Sequence, residues 1–111
     1  MMTRYLIVIL FFVLPAALLA QDTLPQFSVT TRGNNRNLIS WVNNYPLITQ
    51  INIQRSADSL KGFKTILTVP DPTIPQNGFV DAKAPAGKNF YRLFILLDSG
   101  KYEFGKARAP I

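Results

Sequence analysis

The fold class that the sequence predicts is all-β: seven short antiparallel strands arranged as a two-sheet sandwich over one core. Three observations carry that expectation. From Phe27 onward apolar residues recur with period two, as they do in pleated chain buried on one face. The apolar runs are short and are punctuated by Gly, Pro, Asn and Asp. No later segment sustains a helical period. A five- or six-stranded barrel is the alternative that the same pattern allows.

The chain of 111 residues opens with a segment of another kind. Arg4 gives residues 1–4 a basic start, residues 5–14 are unbroken apolar chain, and Ala16, Ala17 and Ala20 precede polar Gln21 and Asp22. This is the layout of a secretory signal peptide, a helix that is cut away after Ala20 or, as a second choice of site, after Ala17. The apolar stretch 5–20 is shorter than the roughly 20 residues a helix needs to cross hydrocarbon, so no permanent membrane span is expected. The expected division is a signal peptide at 1–20, a linker at 21–26 and one domain at 27–109. Such a product is exported, to the periplasm, the cell surface or the extracellular space.

The chain has no cysteine and no histidine. That excludes disulfides, thiolate metal sites, cysteine nucleophiles and a lipidated N-terminal cysteine, and it removes the commonest general base and metal ligand at neutral pH. The full chain carries 12 basic side chains against 6 acidic; without Arg4 the count is 11 against 6, a net +5. A surface of that sign favours anionic neighbours such as acidic polysaccharide, lipid head groups or protein.

Along the domain, residues 27–31 form the first expected strand, and the Gly- and Asn-rich turn at 32–37 leads into a second at 38–42, with Ile39 and Trp41 on one face. Residues 43–46 break the alternation, and 49–56 resume it with Ile51 and Ile53 inward and Asn52 and Gln54 outward. A loop at 57–62 precedes a strand at 63–69. Pro70, Pro72 and Pro75 bar the next connection from pairing as a central strand. A short element at 78–82 and a turn at 85–89 lead to 90–97, which is apolar on both faces and therefore central in its sheet. Asp98, Ser99 and Gly100 then reverse the chain into a closing strand at 101–107.

Read in order, Ile39-x-Trp41, Ile51-x-Ile53-x-Arg55-Ser56-x-Asp58, Phe63, Phe79-x-Asp81, Gly87-x-Asn89-Phe90-Tyr91-Arg92-Leu93 and Asp98-x-Gly100-Lys101-Tyr102 form a recurring series. The chain resembles the fibronectin type III superfamily of immunoglobulin-like β-sandwiches, in the form common in exported bacterial proteins. The resemblance implies that Trp41 packs at the centre. It also implies that Tyr91 makes a tyrosine corner, its hydroxyl bonded to upstream backbone, with Leu93 and Ile95 following it inward. The expected core is therefore Ile39, Trp41, Ile51, Ile53, Tyr91, Leu93 and Ile95. Integrin-binding members carry Arg-Gly-Asp between their last two strands, where this chain has Asp98-Ser99-Gly100-Lys101.

No carboxylate pair is evident for acid-base chemistry, no spacing suits a metal or another cofactor, and the expected chain is not an enzyme. The basic residues are scattered, which gives no nucleic-acid surface. One pattern does point outward. Phe90, Arg92, Phe94 and Leu96 alternate with the inward Tyr91, Leu93 and Ile95, so an apolar set is left outside the core as a candidate interaction surface. It either docks a neighbouring domain or partner strand, or is covered by long side chains such as the stem of Arg92.

The functional expectation is a non-catalytic exported interaction or spacer module, part of a longer secreted or surface protein. The alternatives are a carbohydrate-binding module using Tyr45 and Tyr102 as loop aromatics, and a domain that binds an anionic cell surface. Mass spectrometry of the exported protein should find Gln21 at its N-terminus; a chain still beginning at Met1 would overturn the cleavage expectation.

Overall fold

The computed structural model describes residues 25–111; the expected signal peptide, its cleavage site and the start of the linker lie outside the described residues. Seven strands follow in order: β1 Gln26–Thr31, β2 Asn37–Val42, β3 Ile48–Ser56, β4 Lys64–Thr68, β5 Gln76–Asp81, β6 Phe90–Leu97 and β7 Tyr102–Phe104. They form a three-stranded sheet in the order β1-β2-β5 and a four-stranded sheet in the order β4-β3-β6-β7. All the pairings are antiparallel.

The β1–β2 turn holds Gly33, Asn34 and Asn35 at φ of 79°, 54° and 57°, left-handed values that only glycine and asparagine adopt readily. It is closed by Arg32 N–H donating to the Arg36 carbonyl at 2.8 Å. From that turn the register runs unbroken. Inward rows across the small sheet are Phe27–Trp41–Asn77 and Val29–Ile39–Phe79, followed at the sheet's end by Asn37–Asp81 beside an exposed Thr31. Opposite them, β3 and β6 place Ile51 beside Ile95 and Ile53 beside Leu93.

The residues expected in the core, Ile39, Trp41, Ile51, Ile53, Tyr91, Leu93 and Ile95, are all buried, together with Val29, Ile48 and Val69. The indole N–H of Trp41 has no partner among the described residues, so this side chain contributes volume and apolar contact rather than a hydrogen bond. Buried Asn43 pins the proline-rich connection: its backbone N–H donates to the Pro75 carbonyl and its Nδ2 to that of Pro72, both at 2.7 Å.

Most boundaries shift by no more than one residue, β4 losing Phe63 and Val69 from its expected ends, and two differ by more. β5 begins earlier, at Gln76, directly after Pro75. The last strand is far shorter than 101–107, because regular pairing ends at Phe104. The chain nevertheless stays beside β6: Gly105 N–H donates to the Leu93 carbonyl at 2.7 Å, and Arg108 and Tyr91 exchange two hydrogen bonds at 2.8 Å. It then crosses to the other sheet, where Ile111 donates to Val29 and accepts from Thr31, both at 3.1 Å. These two bonds flank Thr30 in the parallel pattern.

Trp41→Ala is expected to lower unfolding free energy by roughly 3–5 kcal/mol in urea denaturation. Leu60→Ala, at a side chain 87% exposed, should change it by no more than about 0.5 kcal/mol.

Candidate functional site

Alternation along the four-stranded sheet turns Gln50, Asn52, Gln54 and Ser56 of β3, and Phe90, Arg92, Phe94 and Leu96 of β6, away from the core. β7 extends two of these rows. Tyr102 lies opposite Leu96 and Phe104 opposite Phe94. The outer face is thus divided, with amides on β3 and apolar side chains on β6 and β7.

The three rings meet. Phe94 lies 5.7 Å from Tyr102 and 5.5 Å from Phe104, and Tyr102 lies 5.8 Å from Phe104 at an interplanar angle of 77°. Such tilted pairs add about 0.5–1.5 kcal/mol beyond the area they bury. Arg92 sits in the next row with its guanidinium 4.0 Å from the Phe104 ring centre and 4.3 Å from that of Phe63. It is held by Nε donating to Gln54 Oε1 at 2.7 Å, while Gln54 Nε2 donates to Thr65 Oγ1 at 3.2 Å. Burial between two rings lowers the Arg92 pKa from the ordinary arginine value.

Arg92 therefore covers aromatic surface with its charged group rather than with its stem. The cover is partial. Phe90, Arg92, Phe94 and Leu96 are half-buried, whereas Tyr102 is 61% and Phe104 44% exposed. The sequence expectation names none of Phe63, Tyr102 and Phe104 on this face; it places Tyr102 and Phe104 in the closing strand at 101–107 and treats Tyr102 as a loop aromatic only in the carbohydrate-binding alternative. All three belong to it, and the alternation of Tyr102 with Phe104 was the signal for two of them. Tyr45 is no free platform: its ring is half-buried against the core, and its N–H donates to Asn43 Oδ1 at 2.9 Å.

A second constellation lies inside. The Tyr91 hydroxyl donates to Asp81 Oδ2 at 2.7 Å and accepts from Asn37 Nδ2 at 2.9 Å. Arg55 Nη1 donates to the same Asp81 oxygen at 2.7 Å. The tyrosine-corner bond to upstream backbone is thus replaced by side-chain bonds. The reason lies in the register: β2 and β5 set Asn37 beside Asp81, and a carboxylate is a stronger acceptor than a carbonyl. Burial is the main cause pushing the Tyr91 pKa up to about 12, reinforced by Asp81 and opposed by Asn37 and Arg55.

Two other carboxylates, Asp58 and Asp71, serve locally. Asp58 accepts from Leu60 N–H at 2.8 Å, and Asp71 accepts from Thr73 N–H at 3.0 Å and from the Thr73 hydroxyl, which lowers the Asp71 pKa. Among the described residues no three acidic side chains gather as metal ligands. A concavity of about 700 Å³ between the 33–35 and 87–89 turns is lined by four asparagines, of which Asn37 is engaged with Tyr91 and Asn89 with the Pro85 carbonyl.

No protein-family model matches the chain, and no curated protein matches it. Solved structures do. Two crystal structures of pectate lyase Pel3 from Pectobacterium carotovorum are 15% identical to it, cover 77% and 78% of it, and superpose with TM-scores of 0.63 and 0.65. Pectate lyase PelI from Erwinia chrysanthemi, solved with tetragalacturonic acid, is 15% identical over 76% of the chain with a TM-score of 0.60. The chain spans 26% of each Pel3 chain and 28% of PelI, about a quarter of these proteins. At this identity the likeness shows the fold alone.

Because the folded pKa of Tyr91 lies above the ordinary 10.0, its stabilisation is whole below pH 10 and is lost as pH rises towards 12. The loss should amount to about 2–3 kcal/mol in denaturation curves across that window. Tyr91→Phe should abolish this alkaline step and cost about 1–3 kcal/mol at neutral pH, since Asp81 and Asn37 lose a partner. An unchanged alkaline step in the variant would assign it to another group.

Proposed function

We propose that the mature chain is a non-catalytic, fibronectin type III-like interaction module of an exported protein, and that it works through the outer face of its four-stranded sheet. The observation that carries this reading is the half-open cluster of Phe94, Tyr102 and Phe104 beside Arg92, on the side of the sheet that the core does not use. Exposed aromatics with an adjacent arginine are the composition of interaction hot spots. The order β1-β2-β5 against β4-β3-β6-β7 agrees with the resemblance in the sequence. The partial span of the pectate lyases supports membership in a longer protein.

The geometry favours a protein surface over a sugar. The rings pack on one another at angles of 30°, 57° and 77° and do not lie spread in one plane as a stacking platform would. Anionic polysaccharide is the second reading, favoured by the net +5 of the mature chain and by the tetragalacturonic acid bound in PelI.

A photo-reactive phenylalanine analogue at Tyr102 should crosslink to a discrete partner in the producing cell, and one at Leu60 should not. Equal adducts at both positions, or none at either, sink the docking reading. In gels cast with polygalacturonate the module should migrate as in plain gels; retardation that fades with salt would favour the polysaccharide reading instead.

A further inference from the structure

We infer that the free edge of β7 accepts an extended, acidic segment of a partner protein as a fifth strand of the four-stranded sheet. This inference rests on the proposal that the outer face of that sheet is the working face, and it names how the partner is held.

Leu97 N–H donates to the Lys101 carbonyl and Gly105 N–H to the Leu93 carbonyl, so alternate residues of this segment turn their backbone groups toward β6. Tyr102 and Phe104, opposite Leu96 and Phe94, fall between these bonds and turn theirs outward. Neither has a backbone hydrogen-bond partner on that side among the described residues. An incoming strand would find donors and acceptors at both positions, and its side chains would extend the Phe94, Tyr102 and Phe104 cluster sideways.

The other edges lack this combination. β1 already bonds Ile111 at Val29 and Thr31. β4 is interrupted by a bulge, since Ile53 and Gln54 pair with Leu67 and Thr65 and leave Ile66 as the extra residue. β5 follows Pro75 directly and carries Gly78, and its outward residues adjoin no aromatic cluster.

Charge selects the occupant. Lys101 and Lys106 flank the edge, which carries Glu103 and follows Asp98 in the turn. Arg92 stands beside it over Phe104, and Arg108 follows two residues after Lys106 with its guanidinium 5.3 Å from the Phe27 ring centre, so positive charge prevails. A second copy would bring the same basic side chains to the same seam and carry another net +5, so like charges oppose self-pairing. A strand bearing carboxylates meets no such repulsion.

The probe is a capped synthetic peptide of about nine residues alternating aspartate with valine, added to the isotope-labelled chain 21–111, with a lysine-for-aspartate peptide as control. Nuclear magnetic resonance should show amide shifts and slowed hydrogen exchange at Tyr102 and Phe104. Affinity should fall at least tenfold in Tyr102→Pro relative to Tyr102→Val, because proline removes the outward N–H at an edge position that tolerates it. Binding should weaken with salt, and the lysine peptide should not bind. Shifts at the Phe63 and Phe94 rings without protection at β7 would overturn strand addition and leave the outer face as the docking site. Protection at β4 or β5, equal affinity of the proline and valine variants, or a dimer forming without peptide would also overturn it. No response on the sheet face would remove both the inference and the proposal beneath it.

Discussion

Apart from the closing tail, which bonds by backbone to both, the two sheets of this cysteine-free sandwich meet through side chains, and among the described residues the buried polar part of that meeting is one cluster. Asn37 and Asp81 come from the three-stranded sheet, Arg55 and Tyr91 from the four-stranded one, and all four are joined through the Tyr91 hydroxyl and one oxygen of Asp81. The apolar contact around them is non-directional. The cluster is directional, and removing any member leaves buried polar groups unpaired. Hydrophobic burial therefore supplies most of the driving force, and this joint sets the alignment in which it is collected.

Much of the architecture was legible because period-two alternation is a local property. β2, β3 and β6 could be placed from their own residues, and the apolar run at 90–97 announced a strand with a neighbour on each side. What could not be read was long-range. Asp81 belongs in the sequence to the short element at 78–82, and its Oδ1 accepts from nearby Lys83 N–H at 3.3 Å; its other oxygen meets Tyr91 and Arg55 only once three strands have assembled. Phe63 is expected as the first residue of the strand at 63–69, but β4 begins at Lys64, so Phe63 lies outside the ladder and alternation does not aim its ring at Arg92. The short β7 was overestimated because residues 105–107 look strand-like, whereas the chain leaves the ladder after Gly105 and rejoins it at Arg108.

The outer face shows how an exposed apolar surface is kept tractable. Arg92 lies across two rings and is anchored by Gln54, so a charged group occupies the centre of a patch that would otherwise invite indiscriminate association. Lys101 and Lys106 bracket the brief edge strand beside it. The same features that restrain aggregation bias the patch towards partners of opposite charge.

The closing segment of the chain has a mechanical consequence. Ile111 runs parallel to β1, so the beginning of β1 and the end of the tail leave this seam in opposite directions. Tension applied between them would slide the two segments past one another, loading both hydrogen bonds at once instead of peeling them apart in turn. The tail thus acts as a clasp whose strength lies along the direction of pull.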